Sequence, residues 1–290
     1  MVERGRYLGR PIVSGGQANC AIREAIVERR GLAAARIGST ELDGLRFFVR
    51  YREGPFPENG LLDILSHLYL YSGVFPQAET TYGRFCETLL GDLEQVNLMG
   101  VWFNRGEAAI VRAYARGAIL TRLRFLEPYY HSTPWSAALE GKTVLVVSPF
   151  ASSIESQYRR RHAVWRTHPD VLPSFSLATI KAPQYDHLVK SPFADWVEAL
   201  EALKSQVAAV PFDVLIVGAG AWGLPLAVFA KELGKVGIHL GGATQVLFGI
   251  KGRRWENHPV IANLINEAWV RPSAEETPRG NERIEGGCYW

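Results

Sequence analysis

From residue 143 onward, short unbroken apolar runs alternate with longer segments in which apolar positions recur every three or four residues. Residues 143–148 (TVLVVS), 213–217 and 235–240 (KVGIHL) are of the first kind, and 175–180 (FSLATI) is a weaker example. Runs of that length without a polar face predict strands covered on both sides. Between them, Phe193, Trp196, Val197, Leu200, Leu203 and Val207 form one helical stripe, headed by Ser191 and Pro192. Ser152 and Glu155 have capping-box spacing at the head of another helix, and a third is expected from Gly223 to about Leu233. Repeated strand–helix units of this kind predict an α/β fold, a Rossmann-like parallel sheet with helices on both faces.

The N-terminal half is more helical. Helices are expected at 19–30, stopped by Gly31, and at 41–51, 61–71 and 82–96, with short strands at 33–37 and 98–103. The proline-bearing stretch 127–141 marks the boundary between the halves. The chain therefore divides into an N-terminal α/β region (1–135), a Rossmann-like nucleotide-binding region (136–272) and a C-terminal tail (273–290), the two halves forming one compact unit.

Composition narrows the picture. At 290 residues, 47% hydrophobic and 21% charged, the chain can bury a full core, and a net charge of +3 is too small to call for nucleic acid or an anionic membrane as partner. Cys20, Cys86 and Cys288 are too few and too scattered for a disulfide framework or a zinc site, and Cys86 falls inside an apolar helical pattern. The first residues carry no apolar signal core. Together these features point to a reducing, cytoplasmic setting. Residues 214–230 are uncharged, but Gly218, Gly220, Gly223 and Pro225 interrupt them, so they read as strand, turn and helix and not as a membrane span.

Three stretches carry candidate chemistry. The first is GAGAWG at 218–223, whose G-x-G-x-x-G spacing allows close backbone approach to a pyrophosphate at a helix N-terminus. Dinucleotide folds also place an acid about 20 residues on, at the end of the next strand. Here that position is occupied by His239-Leu240-Gly241-Gly242. Three readings stay open: an NAD(P) site, a turn that glycines merely close, or a site for another phosphate ligand.

The second stretch, 239–256, sets His239 and the Gly241 and Gly242 amides at the sheet's carboxyl edge and follows them with Lys251, Arg253 and Arg254. His239 is then either a structural histidine or a group that contacts phosphate or moves a proton. The third is AARIGSTELDGL at 34–45. Thr40 and Asp43 have capping-box spacing, which leaves Glu41 free to hold a metal, a sugar hydroxyl or an acceptor proton.

Taken in order, KTVLVVSPFASSIESQY, DVLIVGAGAWGLPLAVFAKELGK and IHLGGATQVLFGIKGRRW resemble segments of the GT-D fold glycosyltransferases, bacterial sugar transferases with a Rossmann-like domain. RIGSTE at 36–41 resembles that family's R-[IF]-G-D-G-E segment, with Ser39 at its aspartate and Thr40 at its second glycine. The resemblance runs from about residue 30 to the end. It implies a glycosyltransferase that uses a nucleotide-diphosphate sugar, UDP-linked, with a glycan or glycoconjugate as acceptor. Arg36, Gly38, Ser39, Gly218, Gly220, Gly223, Gly241, Gly242 and Lys251 would bind the donor. Glu41 and His239 would be the catalytic pair, Glu41 also the ligand of Mn²⁺ or Mg²⁺. The loss of the aspartate leaves two further possibilities, a non-catalytic nucleotide-sugar binding protein and the NAD(P)-dependent oxidoreductase suggested by the glycines.

Overall fold

The computed structural model describes residues 2–3, 6–7, 9–184 and 191–290. Its strands are β1 (Val2–Glu3), β2 (Arg6–Tyr7), β3 (Arg10–Val13), β4 (Leu32–Ala35), β5 (Leu98–Val101), β6 (Ile119–Arg122), β7 (Thr143–Ser148), β8 (Ser176–Lys181), β9 (Val214–Val217) and β10 (Val236–His239). They form one sheet in the order β1-β2-β3-β6-β5-β4-β10-β9-β7-β8. From β3 to β8 in that order every pairing is parallel, and β2 and β1 extend the β3 edge in antiparallel fashion.

The apolar runs form strands because both faces of the sheet are covered. Alternate side chains enter two separate cores: Leu32, Ala34, Val144, Val146, Val214 and Ile216 enter one, and Ala33, Ala35, Leu145, Val147, Leu215 and Val217 the other. Helices Gly15–Glu28, Ala151–Arg159 and Ala243–Leu247 close the first core, and Ser39–Tyr51, Glu79–Gln95, Trp196–Ala208 and Gly223–Glu232 close the second. The fold is thus the expected α/β sheet with helices on both faces. The N-terminal half is less purely helical than its pattern suggests, because it supplies β3, β4, β5 and β6 to the sheet. Residues 214–230 divide into β9, a turn and the Gly223–Glu232 helix, and no helix among the described residues is long and apolar enough to cross a membrane.

Several expected helix starts fall elsewhere. The Trp196–Ala208 helix is capped by Asp195, whose carboxylate accepts from the Glu198 amide, and not by Ser191. Ser152 lies inside the Ala151–Arg159 helix, and Glu155 accepts from the Thr179 hydroxyl at 2.5 Å instead of closing a capping box. The Ser39–Tyr51 helix begins before Thr40 with Gly38 at its N-cap, and Asp43 pairs with Arg46 at 2.9 Å. The first long helix ends at Arg29, in left-handed conformation (φ 54°), two residues before Gly31. For Glu155 and Asp43 another side chain takes the carboxylate that a local cap would use.

One feature of this topology positions the site. β4 and β10 are neighbours, pairing Leu32 with Val236 and Ala34 with Ile238, yet the chain leaves them toward opposite faces. After β4 it enters the Ser39–Tyr51 helix, whose Leu42, Leu45 and Phe48 join one core, and after β10 it enters the Ala243–Leu247 helix, whose Val246 and Leu247 join the other. Adjacent strands whose connections diverge in this way leave a crevice beyond their carboxyl ends.

Candidate functional site

A cavity of about 690 Å³ fills that crevice, a size that suits a nucleotide-like ligand. The loops that follow β4, β5, β6, β7, β9 and β10 all reach it. Arg36, Gly38, Ser39 and Glu41 come from the first of these, Gly218 and Gly220 from the β9 loop, and Gly241 and Gly242 from the β10 loop.

Close backbone approach explains most of these glycines. A Cβ on Gly241 would lie 2.0 Å from Arg36 Nη2, and its φ of +61° already favours glycine. The guanidinium of Arg36 is thereby laid across the β10 loop and stacks over Trp102, 5.0 Å from the ring centre. Gly38 admits the Glu41 carboxylate, since a Cβ there would come 1.8 Å from Oε2. Glu41 is only 7% exposed and, among the described residues, makes no hydrogen bond or ion pair. A buried carboxylate in a cavity without a protein partner is costly unless a ligand meets it.

In the β9 turn the glycines serve the protein as well as the cavity. Gly218 donates its amide to Val147 O at 2.9 Å, and a Cβ on it would strike Thr244 Oγ1 at 2.5 Å. Gly220, at φ +51°, faces the Ser72 carbonyl.

Gly223 and His239 lie outside the cavity, contrary to their expected roles. Gly223 is the point at which the following helix meets β10, and His239 packs on it with 3% exposure. Among the described residues neither ring nitrogen of His239 has a hydrogen-bond partner in good geometry. Burial first, and the Arg36 charge second, hold the imidazole well below its usual pKa, with the nearby Arg36 main chain only partly opposing them. The ring of His239 thus packs between helix and strand instead of lining the cavity. Lys251 also lies outside the cavity wall, where its ammonium faces Glu256 at 4.0 Å.

Arg122, Arg124 and Arg283 also line the cavity, and so does Arg254, which pairs with Glu285 at 3.4 Å. The Tyr289 hydroxyl accepts from Arg254 at 2.9 Å, and the guanidinium stands over the rings of Trp255 and Tyr289 at 5.4 and 5.6 Å. Tyr289 and Trp290 belong to the tail, which folds back as a wall of the site. Trp290 Nε1 donates to Glu276 O at 2.8 Å, and Gln245 Nε2 donates to Tyr289 O at 2.9 Å. Glu276 is itself buried, accepting from the Ser153 amide at 3.1 Å and from the Ser153 hydroxyl.

Two further acids shape the cavity that local patterns did not single out. Glu127 lines it and accepts from the Tyr129 hydroxyl. Burial pushes its carboxyl up to about 7, against the opposing effects of Tyr129, Arg36 and Arg254. Glu107, fully buried, accepts from the Trp102 and Phe103 amides at 3.1 and 2.7 Å and from the Tyr7 hydroxyl at 3.2 Å, and so fixes the loop that carries Trp102.

Four polar atoms of residues that line the cavity, Ser72 Oγ, Trp102 Nε1, Trp222 Nε1 and Thr244 Oγ1, are turned away from its open space and have no hydrogen-bond partner among the described residues. Arg36, Arg122, Arg124, Arg254 and Arg283 give the wall five guanidinium groups against three carboxylates, Glu41, Glu127 and Glu285, which suits an anionic ligand rich in acceptor oxygens. For a divalent ion the fit is partial. Among the described residues no three Asp, Glu, His or Cys side chains converge, so Glu41 would contribute one carboxylate and a phosphate ligand would have to contribute the rest. At the end of β10, where a dinucleotide fold places its ribose-binding acid, stand the buried His239 and then Leu240, Gly241 and Gly242. Compared with protein-family models, with curated proteins and with solved structures, the chain gives no match, so its function is argued from this site.

Proposed function

We propose that the protein is a glycosyltransferase that takes a sugar from a nucleotide-diphosphate donor, UDP-linked by the sequence resemblance, to a glycan or glycoconjugate acceptor. The observation that carries this reading is the charge of the cavity wall: five guanidinium groups, those of Arg36, Arg122, Arg124, Arg254 and Arg283, against the carboxylates of Glu41, Glu127 and Glu285, at the crevice between β4 and β10. A diphosphate brings the acceptor oxygens that such a wall lacks, while the flanking aromatics Trp102, Trp222 and Tyr289 offer faces for a base or a sugar ring.

In the transfer, the acceptor oxygen bonds to the anomeric carbon as the bond from that carbon to the diphosphate breaks. The electron pair leaves on the diphosphate, whose growing charge Arg36 and Arg254 are placed to stabilise. Glu41 is placed to orient the acceptor hydroxyl and receive its proton, or to hold a divalent ion that would neutralise the diphosphate. The cytoplasm, where nucleotide sugars are made, is the proposed setting.

Release of nucleoside diphosphate from a panel of UDP-sugars tests this reading. The wild-type protein should release UDP, and Arg36→Ala and Glu41→Gln should each lower the rate by about 10²-fold or more. Binding of UDP with no release from any donor would instead favour a non-catalytic nucleotide-sugar binding protein, the second reading motivated by Ser39 in place of an acid. Binding of NAD(H) in place of UDP would favour the oxidoreductase.

A further inference from the structure

A second concavity, a groove of about 610 Å³, adjoins the cavity, and Thr40 and Tyr71 line both. Its walls come from two elements. The Ser39–Tyr51 helix supplies Arg46 and Arg50, and the Glu58–His67 helix with the turn after it supplies His67 and Tyr71. Its chemistry differs from that of the cavity. Asp43 is the acidic side chain on its wall, and it is already paired with Arg46 at 2.9 Å. Arg50 is exposed, rests over the Tyr51 ring at 5.1 Å and has no carboxylate partner among the described residues. At the opposite wall the rings of His67 and Tyr71 stack at 5.8 Å with 25° between their planes, and Tyr71 is 37% exposed.

An aromatic ledge beside an unpaired guanidinium offers two complementary contacts, a flat face for a sugar ring and a charge-assisted donor for an anion. The groove also opens onto Thr40, the residue next to Glu41, so a ligand lying in it would present a hydroxyl to the one unpartnered carboxylate of the cavity.

We propose that this groove is the acceptor site and that the acceptor is an acidic saccharide, a sugar bearing a carboxylate or a phosphate, its ring on Tyr71 and its anion on Arg50. This rests on the nucleotide-sugar reading for the role of the neighbouring cavity, while the groove's ligand can be tested separately.

The test is calorimetric titration of the full chain, first with UDP and then, in the presence of UDP, with three probes: a uronic-acid trisaccharide, glucose 1-phosphate and neutral maltotriose. The expected result is binding of one or both anionic probes at millimolar concentration or below and no binding of maltotriose. Arg50→Ala should weaken the anionic probe by about tenfold with UDP affinity unchanged, and Tyr71→Ala should weaken that probe by a similar factor. The better of the two anionic probes tells carboxylate from phosphate as the recognised group. Equal binding of maltotriose, anionic binding that survives Arg50→Ala, or no anionic binding at all would overturn the proposal. Loss of UDP binding with Arg50-dependent anion binding intact would overturn only the donor reading.

Discussion

The imidazole of His239 lies directly on the Cα of Gly223, so close that a Cβ there would stand 2.1 Å from Nε2. The third glycine of the G-x-G-x-x-G stretch thus lets a helix meet the neighbouring strand, the role that position has in dinucleotide folds, and it does not line the cavity. Gly223→Ala is expected to lower stability by about 1–3 kcal/mol through overpacking. His239→Ala should relieve that clash, so the double variant in urea denaturation should lose less than the sum of the two. His239→Ala should leave UDP affinity unchanged, and a large loss would return the histidine to the site.

Glu107 is expected to act on the cavity at one remove. Replacing it with alanine leaves the Trp102 and Phe103 amides and the Tyr7 hydroxyl unpaired, at a cost of about 3 kcal/mol or more. Trp102 carries the stack under Arg36, so its fluorescence should also change. Unchanged stability and emission would argue that the loop is held in some other way.

Asp92 offers a test by pH, well away from the cavity. Burial pushes its carboxyl up to about 7, Lys204 opposing and Glu232 and Glu201 adding to the rise, and its Oδ2 has no hydrogen-bond partner among the described residues. Between its ordinary value near 4 and about 7 the folded protein holds a proton that the unfolded chain has lost, so stability falls as pH rises through that window. Asp92→Asn removes that slope. Its melting temperature should gain on the wild type progressively from about pH 4 to 7 and level off above. A constant difference across the range would contradict the buried carboxyl.

The tail should prove structural. Trp290 is 8% exposed and anchored through Nε1 to Glu276 O, in the same cluster as the Glu276–Ser153 contacts. Trp290→Ala is expected to cost about 3 kcal/mol in thermal or urea unfolding, in the range for large-to-small changes of a buried aromatic. It should also weaken UDP binding through the displaced Tyr289. A variant as stable as the parent would mean that the tail is not docked.

Much of the sheet was legible because its strands are covered on both faces. An unbroken apolar run such as 143–148 has few alternatives, and the strand occupies those residues. Weaker strands escaped: β3 is a four-residue segment that includes Arg10 and Pro11, and β6 is exposed at both ends. Helix starts were legible only where no distant partner competed, as Glu155 shows by bonding to Thr179. For the site, glycine spacing and RIGSTE led to residues that meet at one cavity, because loops that follow neighbouring parallel strands share an edge. Glu127, Trp102, Arg254 and Tyr289 join them through tertiary contacts that no local pattern encodes. Lys251 lay close in sequence, yet its ammonium faces Glu256 and not the cavity.

The most direct test is calorimetric titration of the wild-type protein and of Glu41→Ala with UDP and with NADH, each with and without Mn²⁺. The expected result is binding of UDP at micromolar to millimolar concentration with no binding of NADH. Any enhancement by Mn²⁺ should be lost in the Glu41→Ala variant. Binding of NADH alone, or of neither ligand, would contradict the assignment of the cavity to a nucleotide-sugar donor.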